Sequence, residues 1–276
     1  MEDYKSETIL LNNGVEMPRL GLGVYKAAPD GEVQRAIRDA VSIGYRLVDT
    51  ASVYKNEEGV GEGVRTCGVP RSELFITTKV WNNAQRLGDV ENAFNRSLER
   101  LGLDYVDLYL IHWPVPGCSI DTWHVLEDIY RSGRARAIGV SNFSQLQLEE
   151  LMAVSDIVPA VNQIEYHPLW NQEELRHFCQ NNGIAVQAYA PLARGAYLNR
   201  SIIEKIAEKY NRSTAQIGLR WLIQKDICPI PKSVNTARIL SNSQIFDFEL
   251  DEVEMQMLDS MNENFRSANP PDDLVI

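Results

Sequence analysis

Short apolar runs recur along the chain, separated by longer stretches that carry helix start and stop signals. Most of these runs are nearly continuous, which is typical of parallel strands covered on both faces. Eight strand–helix units predict an α/β fold, the (β/α)8 TIM barrel, and we expect residues 1–276 to form a single domain. The predicted strands cover residues 20–25, 46–49, 74–80, 106–113, 135–141, 160–166, 185–191 and 227–233.

Local signals place further elements around this barrel. Apolar residues flank Asn12-Asn13-Gly14, which predicts an N-terminal β-hairpin. The stretch 199–226 is too long for one crossover helix, so we expect extra helical structure with a break near Asn211. The tail over 265–276 contains two adjacent prolines and predicts an extended surface segment. Capping-box patterns predict helix starts at Ser144 and Ser213 and, in variant form, at Asn171 and Asp251.

Composition narrows the class of protein. A net charge of −11 argues against nucleic acid or an acidic membrane surface as the main partner. No apolar run approaches the roughly 20 residues that a membrane span needs, and the N-terminus lacks the apolar core of a signal peptide. The four cysteines form no CxxC pair, and the four histidines show no metal-ligand spacing. We therefore expect a cytoplasmic protein, a monomer, without a metal site.

Ionisable residues stand where three predicted strands end. Asp49, Lys79 and His112 close the second, third and fourth strands, and Tyr54 follows in the loop after the second. Because barrel active sites lie at the C-terminal ends of the strands, these side chains should face one another. A lysine ammonium beside a phenol lowers the phenol pKa, and a carboxylate would hold that lysine charged. Such a tyrosine could protonate an oxygen that is becoming an alkoxide, which suits reduction of a carbonyl by a hydride from a cofactor.

Two segments, one rich in glycine and one carrying two cations, are candidates for a dinucleotide site. Gly59-Val60-Gly61-Glu62-Gly63 lies inside a helical stretch with no strand just before it, so it predicts a helix packed closely on the barrel. The segment after the eighth strand carries Lys232 and Arg238, at a position where barrels often bind phosphate. Two cations suit a ribose 2′-phosphate, although solvated surface charges are the alternative for this pair alone.

The chain resembles the aldo-keto reductase superfamily over nearly its whole length. The resemblance rests on several specific segments, which are Met17–Gly23, Gly44–Ala51, Tyr54–Glu58, Lys79–Trp81, Leu101–Pro114, Gly139–Phe143, Val161–Glu165 and Ile230–Ser233. It implies that Tyr54 is the general acid and that Asp49, Lys79 and His112 complete a catalytic tetrad. Short loops resemble those of compact bacterial and protozoan members that reduce small aldehydes, dicarbonyls and keto-sugars.

The same resemblance implies the cofactor and substrate sites. Ser141, Asn142 and Gln163 should bind the nicotinamide carboxamide of NADPH, and Tyr189 should stack on the ring. The remaining cofactor residues implied are Gly23, Val24, Leu192, Lys232, Ser233, Val234, Arg238 and Asn242. Tyr25, Trp81 and Trp113 should line an aromatic substrate pocket with His112. Arg194 occupies a position often filled by glycine, and we expect it to contact either the cofactor or an anionic substrate.

The sequence thus predicts an NADP-dependent oxidoreductase acting on small carbonyl compounds, with hydride from nicotinamide and the proton from Tyr54. One alternative is a barrel that binds NADPH as a regulatory or redox-sensing subunit with little turnover. Tyr54 and Lys79 together argue against it, since a pure binder needs neither. A second alternative is a phosphate-handling isomerase or lyase, which would bind no dinucleotide.

Overall fold

A short antiparallel hairpin closes one end of the molecule. The computed structural model describes residues 7–274, and its first two strands are Thr8–Leu10 (β1) and Glu16–Pro18 (β2). Ile9 lies opposite Met17 across the hairpin. Met17 is fully buried and packs among side chains of the barrel interior, so the hairpin plugs the N-terminal end of the barrel. The predicted N-terminal hairpin is confirmed.

Eight parallel strands follow in chain order around a single sheet. Their bounds are Gly21–Gly23 (β3), Leu47–Asp49 (β4), Phe75–Val80 (β5), Val106–Ile111 (β6), Ala135–Ser141 (β7), Val161–Glu165 (β8), Ala185–Tyr189 (β9) and Ile227–Pro229 (β10). The first and last of them meet where the Gly23 amide donates to the Pro231 carbonyl at 3.2 Å, beside a parallel bridge between Gly23 and Lys232. A Cβ at Gly23 would lie 2.8 Å from the Ile230 carbonyl oxygen, so glycine permits this closure. The predicted (β/α)8 barrel is confirmed.

Helices surround the sheet. Their bounds are Glu32–Ile43 (α1), Glu57–Thr66 (α2), Asn82–Leu87 (α3), Val90–Leu101 (α4), Ser119–Arg131 (α5), Gln145–Met152 (α6), Glu173–Asn181 (α7), Ser201–Tyr210 (α8), Thr214–Gln224 (α9), Thr236–Ser243 (α10) and Glu252–Asp259 (α11). Short 3-10 helices cover Ser52–Tyr54, Arg71–Glu73, Ala193–Gly195 and Asp272–Leu274. The expected break near Asn211 separates α8 from α9, where Asn211 adopts a left-handed backbone with φ of 50°. No helix among residues 7–274 has the length and apolarity to cross a bilayer.

Helix starts follow the predicted capping signals at three of four positions. Capping boxes are present at Ser144, Ser213 and Asp251. The prediction at Asn171 is wrong, because α7 begins one residue later, after Gln172, which makes no side-chain cap bond. Asn171 instead donates its amide to the Asp259 carbonyl at 3.1 Å and ties the loop to α11.

The glycine-rich segment lies within α2, as predicted for a closely packed helix. A Cβ at Gly61 would lie 1.9 Å from the Leu101 carbonyl oxygen at the end of α4. Only a residue without a side chain allows this approach, so the motif serves packing between α2 and α4.

Candidate active site

A cavity of about 700 Å³ opens at the C-terminal ends of the barrel strands. Its walls come from β3, β4, β7, β8 and β9, from segments that follow other strands, including β5, β6 and β10, and from residues near the C-terminus. The predicted site residues that line it are Gly23, Tyr25, Asp49, Tyr54, Trp81, His112, Trp113, Ser141, Asn142, Gln163, Tyr189, Leu192 and Lys232. The structure thus brings most of the predicted residues together at one opening.

A buried ion pair underlies this cavity. Lys79 Nζ lies 2.7 Å from Asp49 Oδ1, and their side chains are 0% and 3% exposed. The ammonium also donates to the Thr50 carbonyl at 2.8 Å, and Gln163 Nε2 donates to Asp49 Oδ2 at 2.8 Å. Burial lowers the pKa of Lys79, while the adjacent Asp49 carboxylate opposes that shift. An ammonium has three N–H donors, and Lys79 uses two of them on Asp49 and Thr50. Its third N–H has no partner among the described residues.

Tyr54 ends the 3-10 helix that follows β4 and points its ring toward the ion pair. Lys79 Nζ lies 5.1 Å from the centre of the Tyr54 ring. Enclosure of the phenol raises the pKa of Tyr54 well above its ordinary value, and the negative charge of Asp49 adds to the shift. The sequence predicts that Lys79 lowers this pKa, whereas burial and the Asp49 charge raise it in this structure. Tyr54 is therefore a neutral phenol at neutral pH, which is the form that can donate a proton.

His112 stands just past β6, with its ring close to that of Tyr54. The two rings are 5.7 Å apart, and the Trp81 ring meets His112 edge-on at 5.0 Å. Burial lowers the pKa of His112 well below its ordinary value, and Lys79 adds to the shift. His112 Nδ1 is buried without a hydrogen-bond partner in the described structure. The ring is thus a neutral imidazole, able to donate or accept one hydrogen bond at each nitrogen.

A chain of polar side chains crosses the floor of the cavity beyond the ion pair. Ser141 Oγ donates to the Gln163 carbonyl at 2.7 Å, and Asn142 Nδ2 donates to the His112 carbonyl at 3.0 Å. The Tyr189 hydroxyl donates to Asn142 Oδ1 at 2.7 Å. Asn142 reaches these partners with a left-handed backbone, φ of 65°, which asparagine tolerates better than most residues. Amide and hydroxyl groups held in this way match the donors and acceptors of a carboxamide.

The residues predicted for the phosphate end lie farther out. Lys232 lines the cavity, whereas Arg238, in the first turn of α10, does not. Both are exposed, and neither has an acidic partner among residues 7–274. Cations left unpaired at a helix N-terminus fit a phosphate group. The other predicted cofactor residues that do not line the cavity are Val24, Ser233, Val234 and Asn242; Val234 is partly exposed and the other three are buried.

The sequence prediction missed several cavity residues. Lys26 and Val53 line the cavity, and Lys26 Nζ lies 5.4 Å from the Tyr25 ring. Lys26 directly follows Tyr25, a predicted pocket residue, and this adjacency could have indicated that Lys26 lies at the cavity. The tail was predicted as a surface segment, but Ala268, Asn269 and Pro271 form part of the cavity wall. That prediction is incomplete because the tail folds back over the strand ends. Arg194 also lines the cavity, as expected for a residue that contacts a ligand.

Comparison with known proteins identifies the class. The sequence matches the Aldo/keto reductase family over residues 19–263, and the chain therefore belongs to that family of oxidoreductases. It is 49% identical over 269 residues to a glyoxal reductase of Bacillus subtilis (strain 168), covering 98% of each chain. It is 48% identical over 267 residues to a 9,11-endoperoxide prostaglandin H2 reductase of Trypanosoma cruzi, covering 96% of this chain and 94% of the other.

Solved structures agree with this assignment. An aldo/keto reductase from Brucella melitensis superimposes with a TM-score of 0.90 at 42% identity, covering 94% of this chain and all of the other. A Bombyx mori aldo-keto reductase in complex with NADP gives a TM-score of 0.89 at 39% identity, covering 96% and 95%. A nicotinamide cofactor is thus found in a structural neighbour that covers nearly the whole barrel.

Proposed function

We propose that this protein reduces small aldehydes, ketones or dicarbonyls to alcohols with NADPH, and that Tyr54 protonates the carbonyl oxygen. The observation that carries the proposal is a neutral phenol facing the cavity above the buried Lys79–Asp49 pair. Bound NADPH supplies the hydride. The name of the glyoxal reductase relative supports a small dicarbonyl as substrate.

Tyr54 and Lys79 act together in proton transfer, Tyr54 as the donor and Lys79 as the cation that stabilises the phenolate. When the phenol gives up its proton, a negative charge forms beside the Lys79 ammonium, whose third N–H has no other partner among the described residues. Asp49 holds Lys79 charged and in place through the 2.7 Å contact. The phenolate is thereby stabilised at the moment it forms, although the free phenol has a raised pKa.

His112 orients the substrate. Its imidazole is neutral because burial and Lys79 lower its pKa, so it acts as a hydrogen-bonding group and carries no charge into the cavity. The aromatic side chains of Tyr25, Trp81 and Trp113 form apolar walls around it. Such walls exclude water from the carbonyl and favour compact, uncharged substrates near the reacting atoms.

The polar floor of the cavity fits the nicotinamide end of the cofactor. Ser141, Asn142 and Gln163 would bind the carboxamide, and the half-buried Tyr189 ring would lie against the nicotinamide. Lys232 and Arg238, which have no acidic partner among residues 7–274, would hold the 2′-phosphate, which distinguishes NADPH from NADH. We therefore expect Arg238→Ala to raise the Kd for NADPH about tenfold or more and to leave the Kd for NADH within about twofold.

Arg194 and Lys26 add positive charge at the cavity rim. Arg194 is exposed and has no acidic partner in the described part of the chain. We expect Arg194→Ala to raise KM for NADPH or for an anionic carbonyl substrate. Unchanged values for both would show that Arg194 contacts neither.

The direct test follows NADPH absorbance with glyoxal, methylglyoxal, small aldehydes and keto-sugars, with the alcohol product identified by mass spectrometry. Turnover by the wild type with a matching alcohol product supports the proposal. Tight NADPH binding with no turnover on any compound would instead favour a regulatory or redox-sensing barrel. Absence of NADPH binding would contradict both and favour phosphate chemistry without a dinucleotide.

A further inference from the structure

A second buried carboxylate stands at a strand end next to the cavity, outside the tetrad. Glu165 is the last residue of β8 and is 2% exposed. It lies opposite Tyr189 of β9 in the sheet register. Burying a carboxylate costs free energy unless the group is paired or hydrogen-bonded, so its partners indicate its structural role.

Most of those partners belong to the C-terminal segment. Ser267 donates both its amide and its hydroxyl to Glu165 Oε1 at 2.6 Å. The Ala268 amide lies 3.2 Å and 3.3 Å from the two carboxylate oxygens. Arg266 Nε stands 3.8 Å from Oε2. Behind the carboxylate, His167 Nε2 lies 3.0 Å from Oε1 within the protein interior.

This segment is a wall of the substrate cavity. Ala268, Asn269 and Pro271 line it. Among the hydrogen bonds of residues 7–274, those that tie residues 267–271 to the barrel all end on Glu165. The residues just before this stretch are anchored separately, since the Phe265 amide donates to the Leu169 carbonyl at 3.0 Å. Within 267–271, Glu165 is the side chain that holds the wall against the barrel.

The carboxylate is held in the form that this anchoring requires. Burial alone would raise the pKa of Glu165, but hydrogen bonds from His167 and Ser267 outweigh burial and lower it. Glu165 is therefore ionised at neutral pH. Hydrogen bonds to an ionised acceptor are roughly twice as strong as neutral ones.

Arg266 connects the same segment to the cofactor side. Its guanidinium packs over the Trp170 ring at 5.9 Å and interacts with the Tyr189 hydroxyl. Tyr189 in turn donates to Asn142 on the cavity floor. The tail, Glu165 and the ring expected to meet nicotinamide thus form one contiguous cluster.

We propose that Glu165 is a positioning residue that latches segment 266–271 to the barrel and so fixes one wall of the substrate cavity. The kinetic consequence rests on the proposed reductase function, whereas the latch itself does not. Substrate binding should depend on Glu165 and the chemical step should not, because Glu165 does not line the cavity.

The first test measures the tail without any turnover. Hydrogen–deuterium exchange of a peptide covering residues 265–274 should be faster in full-length Glu165→Gln and Ser267→Ala than in wild type. The matched control is Ser260→Ala, an exposed serine whose hydroxyl bonds only within its own turn, to the Met257 carbonyl. Exchange unchanged in both test variants overturns the latch, and Ser267→Ala keeps the test open if Glu165→Gln does not fold.

The second test uses kinetics. Glu165→Gln should raise substrate KM on the order of tenfold with kcat within about twofold, the pattern of binding energy lost equally from the bound substrate and the transition state. In the Glu165→Gln/Ser267→Ala double variant the effects should be less than additive, because both substitutions remove one contact. Faster exchange with unchanged KM would overturn the wall role. If wild type reduces no carbonyl compound, the proposed function fails while the exchange experiment still decides the latch.

Discussion

Two buried aspartates at opposite ends of the same sheet differ in how fully they are paired. Asp107 lies near the N-terminal end of β6 and accepts from the Ile76 amide at 2.8 Å, from Arg71 at 2.6 Å and from Arg136 at 2.8 Å. Asp49 ends β4 and is bonded to Lys79 and Gln163. Both carboxylates are nearly inaccessible to solvent.

Their cationic partners explain the different consequences. Arg71 also donates to the Leu74 and Tyr105 carbonyls, so it ties chain segments together at the closed end of the barrel. Arginine stays charged, and its fork of donors suits permanent pairing. Lys79 is fully buried, has a lowered pKa and, among residues 7–274, has two hydrogen-bond partners for its three N–H donors. Similar ion pairs therefore stand at both ends of the barrel, and of these two the Lys79–Asp49 pair lies at the cavity, where we propose that it takes part in proton transfer.

The largest contrast should appear in kcat when each cation is replaced. Lys79→Met should lower kcat about 100-fold or more, since the phenolate of Tyr54 loses the charge that stabilises it. Arg71→Met at the closed end should leave kcat within about twofold, because it is remote from the cavity. Steady-state kinetics of both folded variants check this, and comparable losses in the two would remove the distinction.

At the closed end of the barrel, by contrast, we expect a loss of stability and no loss of kcat. Asp107→Asn should reduce the free energy of unfolding by about 2 kcal/mol, because two arginines lose their shared carboxylate while remaining partly solvated. Urea unfolding measures this change, and kcat should stay as in wild type. The control Asp128→Asn removes a carboxylate that is 78% exposed and pairs with Arg131, so about 0.5 kcal/mol or less is expected. An equal effect in the two variants would contradict a structural role for Asp107.

The smallest effect concerns pH. Burial and Lys79 hold the pKa of His112 in the folded protein well below its ordinary value of 6.5. At a pH between the folded-state pKa and 6.5, His112 therefore binds a proton in the unfolded chain and not in the folded chain. The free energy of unfolding should therefore fall as pH drops below about 6.5, by up to about 1.4 kcal/mol per pH unit. Urea unfolding between about pH 7 and pH 5 checks this, and His112→Gln should show a shallower slope. Identical slopes in the two proteins would mean that folding does not shift the pKa of His112.

Elements with local signals were predictable from the sequence. Continuous apolar runs marked the barrel strands, and their polar ends placed Asp49, Lys79 and His112 on one face. The helix caps at Ser144 and Ser213 each pair a serine with a residue three positions later, so they too were predictable from the sequence. Such features need only neighbouring residues to form.

Features that depend on distant contacts were not predictable in this way. The partner of Glu165, Ser267, lies 102 residues farther along the chain, so no local pattern joins them. The direction of the Tyr54 pKa shift depends on how deeply the phenol is enclosed, which spacing does not determine. The tail was assigned to the surface for the same reason, because its prolines do not reveal that it returns to the strand ends.

Proton donation by Tyr54 is tested most directly by single-turnover hydride transfer from prebound NADPH, followed by stopped-flow absorbance in wild type and Tyr54→Phe. The substitution keeps the ring and removes only the hydroxyl. We expect transfer to slow by about 100- to 10,000-fold, with the Kd for NADPH within about twofold of wild type. An unchanged transfer rate in Tyr54→Phe would show that the proton comes from another group.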